Sequence, residues 1–161
     1  MIRDISIPED VAAITAIYNH YVLHSTATFD EDIVTADMME KQILHITRHY
    51  PFFVYEDHQA VVGYCYVHNW KTKDAYRTTV ETTVYIHPQY CGKGIGEKLM
   101  AYLMDVCRQR KFHAVIACIT YPNDASIRLH EKMGFEKRSH FHEVGMKFNK
   151  WLDIVDMELI L

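Results

Sequence analysis

Residues 78 to 96 read Thr-Thr-Val-Glu-Thr-Thr-Val-Tyr-Ile-His-Pro-Gln-Tyr-Cys-Gly-Lys-Gly-Ile-Gly. The part up to Ile86 is rich in β-branched side chains and predicts a strand that ends before Pro88. Beyond the glycines, Leu99, Leu103 and Val106 recur at helical spacing and predict a helix over 94–110. Glycine-rich backbone between a strand and a helix can direct its N–H groups at a phosphate, so this stretch predicts an anion-binding cradle.

The glycine spacing argues against two common nucleotide-binding loops. The stretch lacks the Gly-Lys-Ser/Thr ending of a P-loop, and Gly92, Gly94 and Gly96 do not follow the Gly-x-Gly-x-x-Gly spacing of a dinucleotide fold. A plain glycine-rich turn at a helix start remains the alternative interpretation when the motif is taken alone.

The rest of the chain predicts mixed α and β structure around this unit. A strand over 114–120 completes a β-loop-α-β unit, and the runs 52–55 and 60–70 predict a hairpin. The other expected elements are a strand over 2–7, helices over about 11–22, 37–49 and 124–133, a loop over 25–30, a basic connection over 71–77, and final strands over 135–141 and 146–161.

Length, composition and the lack of targeting signals favour a single cytosolic domain. The 161 residues are 49% hydrophobic, enough for one substantial core, and no boundary signal divides them, so we expect one domain over 1–161. A net charge of −4 disfavours nucleic acid as a partner. No signal peptide or membrane-length apolar run is visible, and the four cysteines form no Cys-x-x-Cys pair. We therefore expect a cytoplasmic protein with reduced thiols and no membrane partner.

Several separated motifs resemble one enzyme family. Gln89-x-x-Gly92-x-Gly94 after a β-branched strand resembles the pyrophosphate-binding motif of the GNAT N-acetyltransferase superfamily. Over nearly the whole chain, further motifs resemble the phosphinothricin and methionine sulfoximine acetyltransferase group. These are Ala75-Tyr76-Arg77, Thr79-Val80-Glu81, Val84-Tyr85-Ile86, Pro122 to Ser126, Leu129 to Lys132 with Gly134-Phe135, and Val144-Gly145-x-Lys147 with Trp151 and Asp153.

The resemblance implies a fold and a co-substrate. The fold is α/β (α+β), the GNAT acyl-CoA N-acyltransferase fold, with a mixed, mostly antiparallel sheet that is splayed near its centre and flanked by helices. Acetyl-CoA lies in the splay, and members of the group are commonly homodimers. The pyrophosphate is bound by Gln89 and by the loop residues Gly92, Lys93, Gly94, Ile95 and Gly96.

The same resemblance assigns the remaining contacts to acetyl-CoA. The backbone of Val84, Tyr85 and Ile86 pairs with the pantetheine arm like an added strand, and its N–H groups are candidates for oxyanion stabilisation. Asn123 and Ser126 fall near the pantetheine and the adenosine phosphates. A helix cap is an equally good interpretation of Asn123, because one amide side chain can do either.

Two side chains are candidate catalytic groups. An amine must be neutral to attack a thioester, and the resemblance assigns the proton to Glu81, directly or through water. A carboxylate on a central strand is costly to bury without a role, which favours this function over a solvated strand position. His130 stands where many GNAT enzymes place a tyrosine acid; its imidazole either protonates the departing thiolate or packs against the cofactor.

The acceptor contacts are expected at Tyr76, Arg77, Thr79 and Lys147. Arg77 can clamp a carboxylate in bidentate fashion, although a plain surface arginine is the alternative. Herbicide-detoxifying members of the group carry a histidine where this chain has Phe148. This departure puts phosphinothricin itself in doubt and leaves methionine sulfoximine and methionine sulfone as acceptors.

The sequence does not predict a metal site or a covalent intermediate. His45 and His49 are four apart on a helix, and His140 and His142 alternate on a strand, but neither pair has a visible third ligand. Direct acetyl transfer needs no Lewis acid. Cys91 lies inside the cradle without a partner that marks a nucleophile, so it is interpreted as a neutral loop residue.

The predicted function is therefore acetyl-CoA-dependent acetylation of the amine of a small, amino-acid-like acceptor by direct attack. A protein or peptide N-acetyltransferase is an alternative and predicts an open groove instead of a closed pocket. A catalytically silent acetyl-CoA sensor is a second alternative, against which the presence of Glu81 argues.

Overall fold

The computed structural model describes residues 1–161. Seven strands and four α-helices follow one another along the chain, with short 3₁₀ turns at Asp74–Tyr76 and Pro88–Tyr90. Their bounds are β1 Ile2–Asp4, α1 Val11–His24, α2 Ala36–Thr47, β2 Phe52–Asp57, β3 Ala60–Asn69, β4 Thr79–Ile86, α3 Ile95–Gln109, β5 Ala114–Tyr121, α4 Asp124–Lys132, β6 Glu136–Lys147 and β7 Lys150–Ile160.

All seven strands form one sheet in the order β1-β2-β3-β4-β5-β7-β6. Every neighbouring pair is antiparallel except β4 and β5, which run parallel. These two strands pair only at Thr79 with Ala114, Val80 with Val115, and Glu81 with Ile116, and then separate. The structure confirms the predicted mixed, mostly antiparallel sheet that is splayed near its centre.

Helices cover both faces of the sheet. The buried stripe of α3, which includes Leu99, Leu103 and Cys107, packs with Val80 and Val115 on one face. On the other face, the apolar sides of α1 and α2 pack against β2 and β3 in a second apolar cluster. None of the helices combines the length and apolarity that crossing a membrane requires.

The final hairpin differs from the expectation. Met146 was predicted to begin the last strand, but Met146 and Lys147 close β6, where they pair with Trp151 and Lys150. A two-residue turn at Phe148 and Asn149, with φ of 53° and 57°, joins the strands. Such turns require left-handed backbone, which asparagine tolerates and phenylalanine rarely adopts. The turn is therefore not recognisable from the sequence.

The first strand was also predicted too long. The structure ends β1 at Asp4, because the Ser6 N–H donates to Asp10 Oδ2 and the Asp10 N–H donates to the Ser6 carbonyl. Asp10 also accepts two hydrogen bonds from Arg3, at 2.7 and 2.9 Å. This turn directs the chain off the sheet edge and into α1.

Candidate active site

The separation of β4 and β5 opens a cavity of about 870 Å³ in the middle of the sheet. Its walls come from β4, the glycine loop, the start of α3, β5 and α4, together with Tyr21, Ala27 and Thr28 from the α1 side. Eleven of the predicted site residues line it: Glu81, Val84, Tyr85, Ile86, Gly92, Gly94, Ile95, Gly96, Asn123, Ser126 and His130.

One end of the cavity is built to receive an anion. Gly92 and Gly94 both have φ of 75°, the left-handed region that favours glycine. None of the backbone N–H groups from Gly92 to Glu97 donates to another backbone group, and α3 begins among them. Arg128 of α4 adds positive charge to the same wall, whereas the Lys132 ammonium there is paired with Glu97 Oε2 at 2.6 Å. Free amides at a helix N-terminus beside the Arg128 cation fit the pyrophosphate of coenzyme A.

The edge of β4 that faces β5 fits the extended arm of the same molecule. From Thr82 onward this edge has no strand partner, whereas β3 pairs the other edge through Val84 with Cys65 and Tyr85 with Tyr64. An unpaired strand edge offers backbone groups to an extended amide-bearing chain. Where β4 ends, the Tyr21 hydroxyl donates to the Ile86 carbonyl at 2.6 Å and joins α1 to the strand.

Glu81 occupies the last position at which β4 and β5 still pair. Its half-buried carboxyl group lies on the cavity wall. Burial raises the pKa of Glu81, His68 on β3 lowers it, and Asp156 raises it, with a net rise above the ordinary value. A carboxylate with a raised pKa is a stronger proton acceptor, which suits a general base near neutral pH.

Cys118 and Asp156 are two neighbours of this carboxylate that the sequence motifs do not single out. Cys118 lines the cavity and pairs with Asp156 across β5 and β7. Burial, followed by the charges of Asp156 and Glu81, raises the pKa of the Cys118 thiol to about 12. The thiol is therefore protonated at neutral pH and is a poor nucleophile. Strand alternation from Ile116, the partner of Glu81, is the one signal that could have found it.

His130 lines the cavity but is almost fully buried, at 3% exposure. Its Nδ1 lies 2.8 Å from the Ser126 carbonyl oxygen, and this contact assigns the ring proton to Nδ1. Burial lowers the pKa of His130, only partly offset by that hydrogen bond. The imidazole is neutral at pH 7 with no proton on Nε2, and its ring packs edge-on against Phe135. This arrangement favours packing over proton donation.

Asn123 and Ser126 meet at the start of α4. The Asn123 Oδ1 accepts the Ser126 N–H at 3.2 Å, so Asn123 caps the helix. Both residues also line the cavity, and the Asn123 amide nitrogen is not used by the cap. The cap and a ligand contact, left as alternatives by the sequence, are therefore compatible.

Six predicted site residues lie outside the cavity lining. Gln89 and Lys93 are exposed, and the Lys93 ammonium lies 4.4 Å from the centre of the Tyr90 ring. Arg77 is exposed and donates to the Asp74 carbonyl at 3.3 Å. The other three are Tyr76, Thr79 and Lys147.

Lys147 is buried at 2% exposure beneath the loop that follows α1. Its ammonium donates to the carbonyl oxygens of Ser25 and Thr28, both at 2.8 Å. Ala27 and Thr28 in turn line the cavity. The structure thus places Lys147 behind the cavity wall, where it supports the loop.

The sheet is splayed, its glycine loop forms an anion cradle, and a carboxylate with a raised pKa lies between the two. This arrangement is that of an acyl-CoA-dependent N-acyltransferase. The chain belongs to the GNAT acetyltransferase family: the model described as "Acetyltransferase (GNAT) domain" matches residues 4–155. The protein is accordingly an N-acetyltransferase, and acetyl-CoA is its co-substrate.

Two relatives and one solved structure indicate which acetyltransferases this chain is similar to. An L-methionine sulfoximine/L-methionine sulfone acetyltransferase of Salmonella typhimurium is 41% identical over 94% of this chain and 90% of its own length. A phosphinothricin N-acetyltransferase of Streptomyces coelicolor is 36% identical over 92% and 89%. A crystal structure of a phosphinothricin acetyltransferase from Sinorhizobium meliloti in complex with AcCoA superposes with a TM-score of 0.97 at 35% identity, covering 100% of this chain and 88% of that one.

Proposed function

We propose that this enzyme acetylates the primary amine of a small amino-acid-like acceptor, of the methionine sulfoximine or methionine sulfone type, by direct attack on acetyl-CoA. The observation that carries the proposal is the position of Glu81, a raised-pKa carboxylate on the cavity wall where β4 and β5 separate. A catalytic base at this point is next to the strand edge that fits the thioester arm.

In this proposal Glu81 accepts the proton that the acceptor ammonium must lose. An α-amino group has a pKa of about 7.7–8.0 and is mostly protonated at pH 7. Acetyl-CoA supplies the thioester carbonyl carbon that the neutral amine attacks. The backbone N–H of Val84, which points to the open edge of β4, is proposed to stabilise the carbonyl oxygen, and His130 to pack beside the bound arm. The N–H of Tyr85 points to β3 instead, because neighbouring residues of a strand direct their N–H groups to opposite edges.

The acceptor class rests on the relatives and on what surrounds Glu81. The Salmonella relative acts on methionine sulfoximine and methionine sulfone, and the chain shares more identity with it than with the Streptomyces phosphinothricin enzyme. Arg77, Tyr76 and Thr79 remain proposed acceptor contacts, with Arg77 turning from the Asp74 carbonyl toward a substrate carboxylate. Phosphinothricin is proposed to be a poorer acceptor because of Phe148.

The experiment measures thiol release from acetyl-CoA across methionine sulfone, methionine sulfoximine, phosphinothricin, free amino acids, polyamines and short peptides. Glu81→Gln keeps the side chain's shape and is expected to lower turnover by about 10²–10⁴-fold with acetyl-CoA affinity unchanged. Glu131→Gln, an exposed position on α4, is the matched control and should retain wild-type turnover. Activity confined to peptides would reject the acceptor class, and an unchanged Glu81→Gln rate would reject the base.

The domain organisation, cellular location and oligomeric state of the enzyme are part of the same proposal. Residues 1–161 form one catalytic domain, since every strand belongs to the same sheet. We also propose a cytoplasmic homodimer that detoxifies amine-bearing amino-acid analogues. Exposed apolar side chains on the β6–β7 hairpin support self-association, and light scattering tests it. They are Phe141, Val144, Met146, Phe148 and Trp151.

A further inference from the structure

His140, His142 and Asp153 converge on the β6–β7 hairpin, outside the acetyl-CoA cavity. Asp153 Oδ2 lies 2.8 Å from His140 Nε2 and 3.0 Å from His142 Nδ1. All three donor atoms lie within 4.8 Å of one another. The histidines alternate along β6, so both rings lie on the same face of the sheet, and β7 supplies the carboxylate that the sequence did not reveal.

These separations approach those of a transition-metal site. Zinc binds imidazole nitrogen and carboxylate oxygen at about 2.0–2.2 Å, which places the donors of a tetrahedral site roughly 3.3 Å apart. The two imidazole–carboxylate distances are already close to that value, and the two rings stack at 4.3 Å between centres. The His142 side chain is 74% exposed, so its ring has room to turn toward the other two donors.

The surroundings hold these side chains in place. Asp153 Oδ1 accepts the Glu143 N–H at 2.9 Å, which orients the carboxylate and leaves Oδ2 toward the histidines. That contact forms where the β6–β7 register shifts between Phe141 and Gly145. The Tyr121 ring packs 4.7 Å from the His140 ring. Outer contacts of this kind fix ligand orientation in metal sites.

We propose that His140 Nε2, His142 Nδ1 and Asp153 Oδ2 bind a divalent first-row transition ion, with Zn²⁺ as the reference. Two imidazoles and a carboxylate are borderline and hard donors, which suit zinc, nickel and copper better than calcium or magnesium. Each ring then carries its proton on the other nitrogen, Nδ1 in His140 and Nε2 in His142. The exposed Lys137 ammonium, 3.4 Å from His140 Nδ1, moves away on binding.

The test is a Zn²⁺ titration of the full chain, followed by competition with a chromogenic chelator, with Tm measured for each variant. The wild type is expected to bind one Zn²⁺ per chain, and His142→Ala and Asp153→Asn to lose about 10-fold or more in affinity. Lys137→Ala should bind more tightly because a nearby positive charge is removed. His142 is exposed, so its truncation keeps the test valid even if Asp153→Asn destabilises the hairpin.

The matched control is His45→Ala/His49→Ala, which removes a histidine pair on α2 and should leave zinc affinity unchanged. Cys91→Ser reports any zinc held by the exposed thiol. The proposal is overturned if the wild type binds no Zn²⁺, if affinity survives both His142→Ala and Asp153→Asn, or if only the α2 or Cys91 variants reduce it. In those cases the cluster is a hydrogen-bonded network that holds the hairpin.

Discussion

Replacing Lys147 by methionine separates two roles for this buried lysine. The resemblance assigns Lys147 to the acceptor, whereas its ammonium donates to the carbonyls of Ser25 and Thr28 beneath the cavity wall. Methionine keeps the length and the apolar stem but donates no hydrogen bond. We expect the loop over 25–30 to loosen, and with it the wall formed by Ala27 and Thr28.

The size of the effect follows from two hydrogen bonds and one buried charge. A buried acceptor left without a donor costs about 1–3 kcal/mol, so two carbonyls cost about 2–6 kcal/mol before any relief. Burial lowers the pKa of Lys147, so its removal recovers part of this cost. A net loss of about 2 kcal/mol lowers the Tm of a chain of this size by about 4–8 °C.

The assay pairs thermal unfolding with kinetics on methionine sulfone and on methioninamide, which lacks the carboxylate. Loop support predicts a lower Tm and a similar loss of kcat/KM for both acceptors. Lys150→Met, at an exposed lysine of the same hairpin, should change neither. An unchanged Tm, together with a KM increase confined to methionine sulfone, would refute loop support and restore direct carboxylate binding.

Three further predictions concern the base, the cradle and the core. The negative charge of Asp156 raises the pKa of Glu81, so Asp156→Asn should move the acidic limb of the kcat/KM profile to lower pH; an unmoved limb contradicts this coupling. Gly94→Ala meets no atom within 4 Å but must hold a φ of 75°, so urea unfolding should show a loss of about 1–2 kcal/mol, and wild-type stability would exclude the strain. Leu103 is fully buried, so Leu103→Ala should lower the free energy of unfolding by about 3–5 kcal/mol in the same urea experiment. Leu44 is 44% exposed, so Leu44→Ala should lower it by less than about 1 kcal/mol. Equal losses would contradict the packing of α3.

Local patterns accounted for much of the fold. The β-branched run before the glycines, the apolar stripe of α3 and the hairpin of β2 and β3 each depend on residues close together in the chain, and the structure confirms them. The turn at Phe148 and Asn149 was wrongly predicted because its left-handed backbone is imposed by the pairing of β6 with β7.

The candidate site likewise contains residues that local sequence patterns predict and residues that only the folded sheet brings together. The cradle and Glu81 were predicted from motif and spacing, and the structure places both on the cavity wall. The neighbours of Glu81 could not, because Cys118 and Asp156 meet only through the order β4-β5-β7. Their effect on the pKa of Glu81 depends on burial and distance, which composition does not contain.

The sequence by itself determined the family, and it predicted the glycine-rich cradle and the candidate base Glu81, since those predictions depend on short runs with local backbone requirements. Tertiary structure alone decided that Lys147 supports a loop 122 residues earlier in the chain, and that Asp153 joins His140 and His142. The physical reason is that such contacts depend on strand order and register, which the whole sheet sets through its packing.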